Sequence, residues 1–237
     1  NTGRIKLSAG SVGGSKMAIA KSVKYANERK QFGKPIGEFG AIKHKLGDMA
    51  VRTFVAESGT YRIGYNIDRK MEALLEKRKD GNKSAAYLEA IKEFAIECAI
   101  MKVYGSETLN YTADEAIQIH GGMGYSAETR AELAYRDARI NRIFEGTNEI
   151  NRMLTVDMIL KKAMKGEIDL MTPAMAISAE LTGVPDMSLP ASDMFEKQLD
   201  YVRNFKKAIL MVAGSAAQKL MMSLGKEQEI LMSIADM

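Results

Sequence analysis

Residues 41–77 read AIKHKLGDMAVRTFVAESGTYRIGYNIDRKMEALLEK. Apolar residues open the stretch at Ile42, Leu46, Met49 and Ala50, the i, i+4, i+7, i+8 spacing of one helix face, and continue loosely to Met71, Leu74 and Leu75. The spacing predicts a helix of about forty residues, long enough to be one rod of a bundle. Upstream, residues 15–30 predict a helix that can begin earlier despite its glycines, and the turn GKPIGEFG (33–40) separates the two. Downstream, KDGNKS (79–84) breaks the chain. Leu88, Ile91, Ala95 and Cys98 then open another long helix towards His120. The tract HGGMGYS (120–126) ends it, and a further helix follows EGTNEI (145–150) to about Lys165. No segment alternates with period two, so essentially no sheet is expected. Long antiparallel helices with short connections predict an all-α, up-and-down helical bundle.

Beyond residue 165 the character changes. Residues 166–190 are rich in Met, Thr, Ser, Gly and Pro, and three of the four prolines (Pro173, Pro185, Pro190) fall there. This predicts a linker between a bundle domain at 1–165 and an extra C-terminal helical segment at 191–237. In that segment a helix follows Ser192-Asp193. Phe195, Val202, Ile209 and Ala216 recur every seven residues, with Leu199, Ala213 and Leu220 on companion positions, the spacing of a packing seam against another helix. The chain starts with Asn1, and EQEILMSIADM (227–237) stops inside an apolar helical pattern without a breaker, so a piece of a longer polypeptide is expected.

Composition narrows the function classes. The net charge of +4 is spread along 237 residues. The densest basic run, KRKDGNK (77–83), lacks interleaved aromatics, which argues against a nucleic-acid surface. No apolar run approaches the ~18 residues of a transmembrane helix, and NTGRIKLSAGSVGG lacks the apolar core of a signal peptide. The single cysteine, Cys98, allows no intramolecular disulfide and fits a reducing compartment. On an apolar helical face beside Ala95 and Ala99, it reads as a core thiol and not a nucleophile. With only His44 and His120, no metal site is expected. The seventeen methionines, at helical spacing, read as core filler.

Three stretches carry candidate chemistry. In NERKQFGKPIGEFGAI (27–42), Arg29 and Lys30 end a helix, where cations complement the dipole; a turn edged by Arg and Gln also suits a phosphate. In IQIHGGMGY (117–125), three glycines in four positions let a ligand approach the main chain closely, although a plain interhelical turn has the same composition. In RIFEGTNEI (142–150), Thr147 or Asn148 can cap the next helix. Glu145, just outside the cap, is then either a carboxylate complementing the helix dipole or a general base mounted on a glycine turn.

Together, in order and spacing, these stretches resemble the acyl-CoA dehydrogenases over about residues 1–165: NTGRI, ERKQFGKPIGEFGAI, QIHGGMGY and RDARINRIFEGTNEI. The FG of EFGAI and the long tail look most like the very-long-chain branch. The resemblance implies the C-terminal helical domain of an FAD-dependent enzyme that converts an acyl-CoA, long-chain by that likeness, to trans-2-enoyl-CoA in fatty acid β-oxidation. Glu145 matches the base that takes the α-proton, while Arg4 and Gly146 match positions beside the substrate. Arg29, Gln31, Phe39, Gly40, Gln118, Ile119, His120, Gly121, Gly122, Thr147, Asn148 and Glu149 match positions reaching FAD, those of the Arg29 and Gln118 segments across a homodimer interface. An electron-transfer flavoprotein is the implied acceptor, and the tail suggests peripheral membrane association. The implied location is cytoplasmic in a bacterium and mitochondrial in a eukaryote. Missing N-terminal and middle domains complete the pockets in the family, so this chain alone is expected to hold little FAD and to lack activity. The rival readings are an acyl-CoA oxidase-like enzyme and a non-catalytic helical interaction module.

Overall fold

In the computed structural model the described residues are 1–183 and 193–237. They are almost entirely helical, as the spacing predicts. The chain forms two compact units, residues 1–151 and 152–237.

In the first unit α1 (Thr2–Glu28) is followed by α2 (Gly40–Lys77), α3 (Lys83–Glu93) and α4 (Ala95–His120). A short turn of helix, α5 (Gly122–Tyr125), and then α6 (Ala131–Ile140) lead to α7 (Asn148–Met164). Helix α1 runs straight through Gly3, Gly10, Gly13 and Gly14 and starts well before residue 15. Small residues explain why that composition is compatible with a rod. Ser8, Ser11, Ser15 and Ser22 are buried on one face, and Gly105 of α4 lies opposite Ser8, so the two backbones come close. The Ser8 hydroxyl bonds that of Thr60 at 2.8 Å, and Thr112 Oγ1 bonds Ser15 Oγ at 3.1 Å, which satisfies these four hydroxyls. Larger apolar residues fill the flanks: Met49 and Ile119 against Ala26, and Ile63, Ile67, Ala90, Ile91, Cys98 and Met101 around a second centre.

Two local expectations are corrected. The helix expected from Leu88 towards His120 is two, broken at Phe94 (φ −91°, ψ 29°). The break brings Phe94, Ala90 and Ile91 on one side and Cys98 and Met101 on the other to the same core. In keeping with the expectation of essentially no sheet, the described residues hold one small ladder: Lys30–Gln31 pairs antiparallel with Lys34–Pro35 around Phe32 (φ 52°) and Gly33 (φ 84°), the doubly positive turn that matches strand twist. Two-residue strands are too short to show alternation. The proposed linker contains α8 (Met171–Thr182). Asp169 Oδ1 accepts from the Thr172 amide at 3.1 Å, and Pro173 occupies the first turn, where a missing N–H costs nothing. Residues 184–190 of that stretch, with Pro185 and Pro190, and the start of the following segment at 191–192 lie outside the described residues.

The second unit takes over α7 from Arg152 onward, and Met153, Val156 and Leu160 pack with the end of the chain. Their partners lie on α9 (Met194–Leu220) and α10 (Gln228–Asp236). Asp193 caps α9, accepting from the amides of Phe195 and Glu196. The heptad seam of α9 is packed only in its second half: Ala213, Ala216 and Leu220 join Val156, Leu224, Leu231 and Ile234, while Phe195, Leu199 and Val202 are exposed.

Gly105→Ala puts a Cβ 2.8 Å from Ser8 Oγ and 3.1 Å from its Cα. It is expected to lower stability by about 1–3 kcal/mol in thermal unfolding. Gly47→Ala, on the exposed side of α2 with nothing within 4 Å of the new methyl, is expected to raise it by about 0.5–1 kcal/mol. Cys98, with its thiol pKa pushed up to about 11 by burial, is expected to resist alkylation near pH 8 until the chain unfolds. The unfolded thiol ionises near 9.0 while the folded one keeps its proton to about 11. Its contribution to stability is therefore complete below pH 9 and is lost as pH rises through that window, which unfolding as a function of pH checks.

Candidate active site

Between α6 and α7 the chain makes a tight turn at Glu145 and Gly146, with φ of 58° and 84°. Left-handed backbone is ordinary for glycine and costs a non-glycine residue about 1–2 kcal/mol, so this turn needs bracing. Asn151, one turn into α7 and fully buried, reaches back: its Nδ2 donates to the carbonyl oxygens of Gly146 (2.7 Å), Thr147 (3.0 Å) and Glu145 (3.4 Å). The Thr147 hydroxyl accepts from the Ile150 amide at 3.3 Å, so Thr147 supplies the cap.

Lys102, which the sequence reading did not single out, braces the same turn from α4. It is fully buried, and Nζ donates to the Gly146 carbonyl at 2.7 Å and to Asn148 Oδ1 at 2.8 Å. Asn148 is buried too. Its Nδ2 donates to Glu107 Oε1 at 3.0 Å and lies 3.1 Å from Ser106 Oγ. Burial holds the Lys102 ammonium below its ordinary pKa of 10.5, with Arg4 adding to the effect, while Glu149, Glu107 and Glu145 oppose it. A signal for this residue was present: Cys98, Lys102 and Ser106 fall at i, i+4 and i+8, on one buried face of α4.

The Glu145 carboxylate lies over α1. A Cβ built on Gly3 would stand 2.4 Å from its Cδ and Oε1. Both residues line a pocket of about 510 Å³ with Lys6, Leu7, Gly10, Leu109, Asn141 and Phe144. Arg4 follows Gly3 in the first turn of α1, and its Nη1 donates to Asn1 Oδ1 at 3.0 Å. Glu145 and Phe144 are exposed at this pocket.

The Arg29 and glycine-tract stretches meet in a second cleft of about 470 Å³, lined by Tyr25, Arg29, Gln31, Ile36, Ile119, His120, Gly121, Gly122 and Met123. Gly121 has φ 60°, and a Cβ on it or on Gly122 would meet nothing within 4 Å, so bare main chain faces the cleft. His120 is fixed by a 2.6 Å contact from Nδ1 to the Ala116 carbonyl oxygen and by stacking on Tyr25, with centroids 4.3 Å apart. Ile119 lines this cleft, and its side chain also packs in the core with Ala26 and Met49. Gln118 is exposed at the end of α4, and its carbonyl accepts from the Gly121 amide at 3.2 Å. Phe39 and Gly40 lie outside both cleft linings. Phe39 precedes α2 with Lys34 Nζ 4.5 Å from its ring centroid and Phe32 edge-on, and Gly40 begins the helix. Glu149 is exposed in the first turn of α7. Asn148, expected at a cofactor, has its side chain turned into the core, which leaves its backbone for any outward contact. Among the described residues no group of acidic, His or Cys side chains is arranged to hold a metal ion.

Residues 1–160 match the family model described as the acyl-CoA dehydrogenase C-terminal domain, and residues 204–237 match a second model of the same description. A probable acyl-CoA dehydrogenase from Bacillus subtilis is 46% identical over all 237 residues, which span 39% of its length. The very long-chain specific mitochondrial enzyme of Rattus norvegicus is 41% identical over 153 residues, covering 65% of this chain and 20% of that protein. The crystal structure of an acyl-CoA dehydrogenase complexed with FAD from Bacillus anthracis superposes with a TM-score of 0.91 at 48% identity, over 100% of this chain and 39% of the other. The chain thus spans about two fifths or less of the length of these relatives.

Gly3→Ala is expected to leave the helical content unchanged but to drive the Glu145 carboxylate off α1 by about 1 Å or more, because the new methyl occupies its place. A crystal structure of the variant with Glu145 unmoved would contradict the contact.

Proposed function

We propose a reaction for this chain from one premise: it belongs to the acyl-CoA dehydrogenase family. It supplies the C-terminal helical part of an enzyme that takes two hydrogens from the α and β carbons of an acyl-CoA to give trans-2-enoyl-CoA. The observation that carries this reading is the Glu145 carboxylate held on a braced left-handed turn, at a pocket it shares with α1. A base for a weak carbon acid needs a fixed position and free oxygens, and the turn provides both: the backbone is tied down while the side chain projects over Gly3.

Glu145 accepts the α-proton of the thioester. Arg4, in the adjacent turn, and the Gly146 backbone stand where the thioester end of the substrate enters. Exposure of Glu145 and Phe144 means that water is excluded by the substrate and by the rest of the polypeptide once the acyl chain is in place.

The second cleft fits part of an FAD. Arg29 and Gln31 offer donors suited to an anionic group, and the bare main chain at Gly121 and Gly122 admits close approach. Thr147, Glu149 and the Asn148 backbone complete the set from the side of the base. When bound, FAD supplies the acceptor for the hydrogen that leaves the β carbon as hydride. The Arg29 and Gln118 segments serve the FAD of a partner copy in a homodimer. Reducing equivalents pass on to an electron-transfer flavoprotein, the pathway is fatty acid β-oxidation, and the likeness to the rat very long-chain enzyme favours long acyl chains. No helix among the described residues is long and apolar enough to cross a membrane, and the exposed Phe195, Leu199 and Val202 of α9 offer a surface for peripheral association.

In the full-length enzyme, Glu145→Gln is expected to keep flavin and lower kcat by about 10²–10⁴-fold, the scale of a lost general base. Undiminished turnover would end the assignment. The isolated chain is expected to show neither stoichiometric flavin absorbance nor turnover. Reoxidation of the full-length enzyme by an electron-transfer flavoprotein and not by oxygen separates a dehydrogenase from an oxidase.

A further inference from the structure

Lys102 is the largest fully buried side chain among the described residues. Burying an ammonium is unfavourable unless it finds acceptors, and both of its acceptors belong to the turn that carries Glu145: the Gly146 carbonyl oxygen and Asn148 Oδ1. The two braces of that turn differ in what they fix. Asn151 bonds carbonyls four to six residues back, so it sets the shape of the turn but moves with it. Lys102 reaches across 44 and 46 residues of sequence from a different helix, and Ser106 and Glu107, one turn further along α4, hold the other side of Asn148. Helix α4 is packed on α1 through Gly105 and Ser8, and α1 carries Gly3, against which the Glu145 carboxylate rests. The chain of contacts therefore runs from the α1 floor of the pocket through α4 and Lys102 to the base.

We infer that Lys102 is a positioning residue for the Glu145 base, tethering the base-bearing turn to α4 through a buried cation. The inference rests on the reading of Glu145 as the α-proton acceptor. Lys102 does not touch the substrate; it fixes where the turn stands relative to α1. A displacement of about 1 Å at a reacting group can cost on the order of 100-fold in rate.

The test uses the full-length flavin-loaded enzyme, with turnover of an acyl-CoA and exchange of its α-proton with D2O as separate readouts. Wild type and Glu145→Gln come first. If Glu145→Gln leaves exchange intact, the base assignment itself fails and this inference with it. If Glu145→Gln abolishes exchange, Lys102→Met decides the present question alone. The expected result is retained flavin, a KM within about 3-fold of wild type, and kcat and α-proton exchange both lowered by about 100-fold. Lys102→Arg, which keeps a cationic donor facing Gly146 and Asn148, is expected to recover kcat and α-proton exchange in part with KM unchanged. Folded Lys102→Met with wild-type kcat and exchange overturns the inference. Should Lys102→Met fail to fold, Lys102→Met with Asn148→Leu makes both ends of the contact apolar and restores the fold while Asn151 still serves Gly146. Wild-type kcat in that double variant overturns the inference equally.

Discussion

A backbone that must stay left-handed at a charged residue is the constraint on which the arrangement depends. Glu145 at φ 58° is followed by Gly146 at φ 84°, and relaxing either would swing the carboxylate off α1. The cost of the left-handed residue, about 1–2 kcal/mol, is comparable to one or two good hydrogen bonds. The turn receives more than that. Three carbonyl oxygens accept from Asn151, one of them also from Lys102, and Thr147 closes the first turn of α7. Surplus bracing of this kind makes a rigid mount out of a segment that would otherwise sample several shapes.

The fold sets the mount against its floor through the contact between α1 and α4. Serines and glycines on these helices allow close approach, with Ser8 against Gly105 and Ser15 bonded to Thr112. A seam of leucines would hold the helices further apart, and the Glu145 carboxylate would then have no surface to rest on. Both clefts draw on the same pair of helices, one at Gly3 near the start of α1 and the other beyond its end at Arg29, beside the last turn of α4 at Ile119 and His120. Residues distant in sequence thereby become two sites on one rigid frame.

Much of this frame was legible in the sequence because helices this long repeat their apolar face many times and end at obvious breakers such as KDGN and HGGMG. The break at Phe94 was not legible, since no glycine or proline marks it and only the shared core behind it explains it. Helix α8 was hidden by a Thr-Pro pair that reads as loop but serves as a helix start. At the site, the glycine after Glu145 announced the turn, whereas its contact with Gly3 joins opposite ends of the first unit and leaves no local trace. Lys102 looked like any lysine in an apolar tract, whose head usually escapes to water. Ile119 and Asn148 show the converse limit: a motif position says that a residue stands near a site, while packing decides which way its side chain turns.

Four non-glycine residues among those described have positive φ, and comparison among them separates strain that shapes the chain from strain that serves a site. Arg130, a left-handed residue, immediately precedes α6, and Met221 (φ 46°) immediately follows α9. Phe32 occupies a two-residue hairpin turn that demands positive φ whatever the side chain. In these three, geometry is the purpose, and glycine would serve as well or better. Glu145 alone combines the conformation with a neighbour already glycine, a fully buried lysine and a fully buried asparagine aimed at its turn. If only a change of direction were needed, glycine at 145 would remove the strain and make the buried cation superfluous. A carboxylate at this position, held at the cost of burying an ammonium, is intelligible when the place of its oxygens is what the structure maintains.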